Sequence, residues 1–369
     1  MLPIEIGLKE ERRLHDLAAP TNAANAGEPR SYLGSRTGGR DNNFNLIRLI
    51  AAASVLLSHA YPIALGSGAV EPLQGVLQGY SLGGVAVIIF FGISGFLIAK
   101  SYDRTASLSR FVVARILRLF PALIVVLLIT LIVSALWLTT ADSGTFARAA
   151  PSYFFRNVTL YALQYELPGV FTGNPFPKTI NGSLWTLNHE VSCYVSVFAL
   201  GVLGFLANRA RMSAALVLFI AAYSINAYAP LHPRLEALFE LAWPFWVGIA
   251  LYVWRDQVEL STRLAGVLVA ATVLSSFTPL FHEILMITIV YLTFLLAFWR
   301  SETLLKFNRI GDYSYGVYIY AFPVQQLCAS LFPGMTPLQN IALALPATLF
   351  CGAMSWMLVE RHALALMKK

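Results

Sequence analysis

Charge is the scarcest property of this chain. Only 12% of its 369 residues are Asp, Glu, Lys or Arg, against 57% hydrophobic, and the mean hydropathy is +0.65. That balance excludes an ordinary soluble globular domain and a disordered, highly charged one. Cysteine is nearly absent. Cys193, Cys328 and Cys351 each fall inside an apolar stretch without metal or redox spacing, so they read as small core hydrophobes and give no information about compartment. No apolar h-region opens the sequence. Residues 1–40 are polar and rich in Gly, Ala, Asn and Arg, which predicts a mobile tail, no cleaved signal peptide, and a first span that itself directs the chain to the membrane. No repeat of 20 to 50 residues is visible, and Gly or Pro breaks do not fall at matching positions of the two halves, which counts against a transporter built from inverted repeats.

What is present is a series of apolar stretches at roughly 46–65, 82–99, 117–138, 188–207, 212–229, 238–254, 264–280, 283–299, 312–332 and 338–359, each close to the ~20 residues that cross a bilayer. The expectation is an all-α polytopic integral membrane protein of about ten transmembrane helices. The net charge of +7 does not indicate nucleic acid, because the basic residues lie in short inter-helix loops. They cluster at Arg36, Arg40 and Arg48, at Lys100 to Arg118, at Arg209 and Arg211, at Arg255 and Arg263, at Arg300 to Arg309, and at Arg361 to Lys369. With ten spans all six clusters fall on one side, which places both termini in the cytoplasm. A transmembrane domain over 41–365 then carries one long connection on the far side, residues 139–187, whose aromatics favour an ordered interfacial cap. The sequon at Asn181 is a common chance triplet and carries no weight.

Several ionisable residues sit where hydrocarbon is expected. Arg48 and His59 are eleven residues apart, three helical turns, so they share a face and lie about 16 Å apart along the axis. Arg48 alone is compatible with a snorkelling anchor and His59 with an interhelical hydrogen bond, but an ionisable group at that depth is a functional candidate. In "FFGISGFLIAK" the Ser94-Gly95 pair allows close helix approach. Ser94 lacks the strand-to-helix elbow of a nucleophile and reads as structural or substrate-lining. Arg115 and Arg118 lie three apart on one face. They satisfy the positive-inside pattern, yet paired guanidinium groups also match phosphate oxygens. In "SLWTLNHEVSCYV", Glu190 is either a helix-start carboxylate or a partner for an imidazole, Trp185 belongs to an interfacial belt or stacks on a sugar, and His189 has no metal-ligand spacing. "GDYSYGVYIYAF" is rich in tyrosine for a span, and buried hydroxyls need partners, so Tyr315 and Tyr318 suggest a polar cavity. Glu360 and Arg361 read as interfacial anchors.

Taken in order, R-x10-H at Arg48 and His59, "FFGISGFLI", R-x-x-R at Arg115 and Arg118, "SLWTLNHE", "SYGVYIY" and "SWMLVER" resemble the acyltransferase-3 family of membrane O-acyltransferases over about residues 41–365. The resemblance implies a ten-helix core in the bacterial cytoplasmic membrane, acetyl-CoA or another acyl-CoA as donor substrate with no permanently bound cofactor or metal, and a hydroxyl of a surface or exported glycan, or of its lipid-linked precursor, as acceptor. Two departures stand out: Ala321 occupies a place where many relatives carry His, and the chain has no room for the soluble esterase-like domain some relatives append.

On this reading Arg48, Arg115 and Arg118 bind the phosphates at the cytoplasmic mouth and the pantetheine arm runs up the first helix to His59. There His59 acts as general base and Glu190 holds or charge-pairs its ring. The rival readings are a transporter or flippase of an anionic lipid or glycan intermediate, and a polytopic sensor or assembly component without chemistry.

Overall fold

The computed structural model describes residues 32–39, 41–105, 107–308 and 310–368. The tail expected over 1–40 thus lies outside the described residues up to Ser31, as do Arg40, Arg309 and Lys369 of the basic clusters. Residues 32–39, placed in that tail by sequence, pack on the body: Leu33 is buried and its N–H donates to the Val258 carbonyl at 2.8 Å, and the Lys100 ammonium donates to the Thr37 carbonyl at 2.8 Å.

The long helices, numbered here in chain order, are α1 Phe44–Leu65, α2 Leu82–Arg104, α3 Leu108–Val133, α4 Ser143–Thr159, α5 Trp185–Val202, α6 Arg209–Tyr228, α7 Pro233–Val253, α8 Thr262–Ser275, α9 Phe281–Ala297, α10 Ser314–Leu331 and α11 Pro337–Ser355. Two π-helical turns extend them, Ser134–Leu138 after α3 and Trp356–Glu360 after α11. Among the described residues there is no strand, only an isolated antiparallel bridge between Tyr32 and Glu259. Side-chain caps mark many helix starts. Ser81, Ser107, Asn208 and Ser261 each accept from a backbone N–H of the first turn, and Thr336 with Gln339 forms a capping box at α11, satisfying donors that have no intrahelical partner.

Each of the ten predicted apolar stretches is helical, but the count of ten spans is not reproduced. Six helices among the described residues are long and apolar enough to cross a bilayer: α1, α2, α3 with its π turn, α6, α7, and α11 with its extension. The others fall short for physical reasons. α8 and α9 have 14 and 17 residues. α10 has 18 but is encased by its neighbours, so Tyr315, Tyr318, Tyr320, Gln325 and Gln326 are buried against protein and its composition need not suit lipid. α5 carries Asn188, His189, Glu190 and Ser192. Exposed Leu128, Ile132, Val217 and Phe350 form the kind of apolar outer surface a lipid-embedded helix presents.

Glycines set the tightest contact. A Cβ on Gly95 would collide with the Phe245 carbonyl, and one on Gly248 with the Gly92 carbonyl, so α2 and α7 touch backbone to backbone, as small residues permit in membrane interiors. Aromatic rings fill the space around them, with Phe96 and Phe294 at 4.8 Å in an edge-on arrangement and Phe44 5.5 Å from Phe294.

The 139–187 connection is ordered. It holds α4, which Asp142 caps by accepting from the Thr145 N–H at 2.9 Å, and an irregular segment tied to α10. Pro323 inside α10 has no N–H, which leaves the Ile319 carbonyl without its helical donor; the Asn181 side chain donates to it at 2.9 Å. Gln326 donates to the Phe176 and Thr179 carbonyls at 2.8 and 2.6 Å, and Asn174 donates to the Gln326 carbonyl at 2.9 Å. The sequon asparagine is thus a buried structural residue.

Candidate functional site

The predicted residues gather in two chambers. Arg48 on α1 donates to Asp312 Oδ2 at 2.8 Å, and Arg118 on α3 donates to the same oxygen at 2.5 Å. Asp312 Oδ1 meanwhile accepts from the Ser314 hydroxyl and backbone N–H at 2.5 and 3.2 Å, at the start of α10. One carboxylate therefore joins three helices. Glu360, on the π turn after α11, accepts from the Ser355 hydroxyl at 2.8 Å and lies 3.7 Å from Arg118. Arg115 points into the same region between the Phe111 and Tyr194 rings, 5.8 and 5.9 Å from their centres, with a buried Nε that has no hydrogen-bond partner. Glu190 accepts a very short hydrogen bond from the Tyr194 hydroxyl and opens on the space beside Arg48 and Arg118. Ser94, Tyr315 and Tyr318 line that space too, which amounts to about 40 Å³, enough for a few waters.

Two sequence-based assignments change here. Glu190 was expected at the helix start or beside His59. It is the sixth residue of α5, past the first turn, and its side chain faces the arginines; the irregular end of the 139–187 segment fixes where α5 begins and so where Glu190 points. Glu360 was expected as an interfacial anchor with Arg361. It is buried, 2% exposed, because the π turn swings it inward, whereas Arg361 is exposed as expected. Asp312 was not singled out, although an ionisable residue at the edge of a Tyr-rich span was a usable signal. The consequence is electrostatic. Arg48 and Arg118 are ion-paired with Asp312 and Glu360, and Arg115 and Glu190 stand in the same cluster, so three guanidinium groups share their surroundings with three carboxyl groups.

The second chamber, about 590 Å³, lies within the size range of small-molecule sites. Its walls are the second half of α1, the starts of α2, α5, α7 and α9, the end of α6, and Tyr318 of α10. These are the helix ends opposite the arginine cluster. His59 lines it, with Nδ1 buried and without a hydrogen-bond partner and the ring edge-on to Phe322 at 5.2 Å. Trp185 lines it, half-exposed, and makes an edge contact to His189 at 5.7 Å. Arg48 and His59 thus share a helical stripe, as their spacing predicts, but open on different chambers. The two chambers share Val87, Thr186 and Tyr318 in their walls, and there the Tyr318 hydroxyl meets the Thr186 hydroxyl at 2.5 Å and donates to the Ser183 carbonyl at 3.1 Å. Thr186 had no sequence signal of its own.

Near the mouth of the cavity, outside the spans, the Tyr80 hydroxyl donates to Glu240 at 3.0 Å. Burial, then the adjacent carboxylate, push its ionisation well above the usual phenol range, so Tyr80 stays a neutral donor. Among the described residues no group of three or more His, Cys, Asp or Glu is placed to hold a metal ion.

Residues 41–356 match the family described as "Acyltransferase domain". The chain is 31% identical over 341 residues to a protein named "O-acetyl transferase" from Shigella phage Sf6, covering 88% of this chain and 96% of that one. It is 30% identical over 368 residues to "Nodulation protein 10" of Rhizobium leguminosarum bv. viciae, covering 89% and 94%. No solved structure matches. Motif order, an all-helical fold with apolar spans, and a family match over most of the length lead to one assignment: the chain belongs to this acyltransferase family of membrane proteins.

Proposed function

We propose that the protein is a membrane O-acyltransferase that moves an acyl group, acetyl in the first instance, from cytoplasmic acyl-CoA to a hydroxyl of a surface or exported glycan or its lipid-linked precursor. The observation that carries this reading is the pairing of an imidazole-lined cavity at one end of the helices with an arginine cluster at the other, the two meeting at Val87, Thr186 and Tyr318. Family membership supports acyl transfer, and the name of the phage relative supports oxygen as the acceptor atom. In this proposal α5, α8, α9 and α10 cross the bilayer with the six apolar helices, giving ten spans in a bacterial cytoplasmic membrane. Both termini are then cytoplasmic and the 139–187 connection lies on the far side.

The chemistry assigns distinct work to each chamber. Arg48, Arg115 and Arg118 receive the donor's phosphates. Because their charge is balanced by Asp312, Glu360 and Glu190, binding exchanges carboxylate partners for phosphate oxygens and widens the 40 Å³ space for the pantetheine arm, along a path lined by Ser94, Tyr315 and Tyr318. Glu190 acts on the guanidinium groups in place of the imidazole. In the large cavity, His59 takes the proton from the acceptor hydroxyl; the oxygen bonds to the thioester carbonyl carbon, the C–S bond breaks, and the departing CoA sulfur receives the proton from the imidazolium. Trp185 offers a flat face for a sugar ring.

Release of free CoA thiol by the purified protein, with acyl-CoA and a glycan acceptor, tests the reading. Thiol release in the wild type that disappears in His59→Ala is expected. Equal release in both removes the imidazole from the chemistry, and no release with any acceptor leaves the transporter. Arg115→Ala is expected to weaken CoA binding in calorimetry; an unchanged dissociation constant refutes its part in the clamp.

A further inference from the structure

The wall of the large cavity away from His59 has a chemistry of its own. Glu236 and Glu240 of α7 and Glu283 of α9 face it, and among the described residues no lysine or arginine lines it. Carboxylates alone would be only a solvated acidic rim, but buried polar atoms without partners lie behind them. Asn226, at the end of α6, is 5% exposed, lines the cavity, and its Oδ1 has no hydrogen-bond partner among the described residues. Glu283 accepts from the Tyr223 hydroxyl at 2.9 Å through Oε1, while Oε2 is buried with no partner among the described residues. An unpaired buried acceptor is costly, and both of these atoms can only accept. What satisfies them must bring donors. The tyrosines nearest the carboxylates are already committed, Tyr80 to Glu240 and Tyr223 to Glu283.

We infer that this wall is the acceptor subsite and that it takes a neutral or amine-bearing saccharide, with hydroxyl or ammonium donors on Asn226 Oδ1 and Glu283 Oε2, and that it rejects saccharides carrying carboxylate or phosphate. The inference rests on the acyltransferase reading for its place in the reaction. The rejection follows from like charge: an anionic sugar would face three carboxylates, with the imidazoles of His59 and His282 as the basic groups among the described lining residues and no permanent cation there. His59 sits across the same cavity, so a ring held by α6, α7 and α9 presents another of its hydroxyls to the imidazole.

The test uses the full-length protein in detergent micelles without any acyl donor, and three trisaccharides of matched size: cellotriose, the glucosamine trimer and trigalacturonate, followed by ligand-observed saturation-transfer NMR. The neutral or the amino sugar is expected to bind at least tenfold more tightly than trigalacturonate. In the combined Glu236→Gln, Glu240→Gln, Glu283→Gln variant, which keeps an acceptor oxygen for Tyr80 and Tyr223, that preference should fall below threefold. Asn226→Leu, checked for a native circular dichroism spectrum, should weaken the favoured sugar at least fivefold, and Asn226→Gln serves as the polar control if the leucine variant does not fold. Trigalacturonate binding as tightly as the others, a preference unchanged in the glutamine variant, or no binding of any trisaccharide overturns the inference. Thiol release from acetyl-CoA by the same preparation separates the two readings: release without saccharide binding removes this subsite and leaves the acyltransferase, and sugar binding without release does the reverse.

Discussion

Replacing Asp312 by Asn would isolate the contact on which the arginine cluster converges. The native carboxylate receives Arg48 at 2.8 Å and Arg118 at 2.5 Å, and all three side chains are less than a fifth exposed. The amide keeps the shape and the Ser314 contacts through Oδ1 but removes the charge, leaving two guanidinium groups side by side with Glu360 3.7 Å from one of them. Breaking a buried pair by removing one partner costs about 3–5 kcal/mol, because the remaining charge stays desolvated. That is roughly 10²- to 10⁴-fold in the folding equilibrium. Reversible unfolding in mixed micelles titrated with dodecyl sulfate would read it. Arg48→Met removes one of the stranded cations, so the double variant should be more stable than the sum of the single losses by about 1–3 kcal/mol. A loss for Asp312→Asn below about 1 kcal/mol, the level of an exposed pair, or additive losses in the double variant, would refute the view that this carboxylate neutralises both arginines.

Gly95→Leu should prevent stable folding, since the backbone of α7 occupies the space any side chain would need; even Gly95→Ala is expected to cost about 1–3 kcal/mol by overpacking, and expression as a monodisperse species with unchanged unfolding midpoint would contradict it. Asn181→Leu strands the Ile319 carbonyl beside Pro323 and should cost about 1–3 kcal/mol, measured by the same unfolding titration, with Asn181→Asp failing to rescue because a carboxylate cannot donate. Tyr318→Trp enlarges the side chain at the junction of the two chambers. It should lower thiol release about tenfold or more, as misplaced reacting groups do, and weaken CoA binding in calorimetry, because Tyr318 also lines the space beside the arginines; thiol release at the wild-type level would refute its place on the path.

Much of this protein is written locally. A long apolar run becomes a buried or lipid-facing helix wherever it sits, because hydrocarbon forces the backbone to bond with itself, so all ten stretches are helical. A spacing of eleven positions from Arg48 to His59 places them on one stripe for the same local reason. Small residues at Gly92, Gly95 and Gly248 allow close packing, although nothing in the sequence says that α7 is the partner of α2. Hydropathy alone does not settle the span count where a helix is surrounded by protein: α10 carries Tyr and Gln because its neighbours supply hydrogen bonds to them.

The sequence by itself determined the helical class with apolar spans, the motif order that marks the family, and the presence of an imidazole and three guanidinium groups within apolar helices, since each is a property of one segment. Only the tertiary structure decided what those charges meet. Arg48 finds its carboxylate 264 residues away and Arg118 finds the same one 194 residues away. Glu190 turns to the arginines because of where α5 starts, and Asn226 and Glu283 from separate helices present acceptors to one cavity. The pairing of buried charges depends on distances of a few ångströms in a medium of low dielectric, and such distances are set by how helices pack.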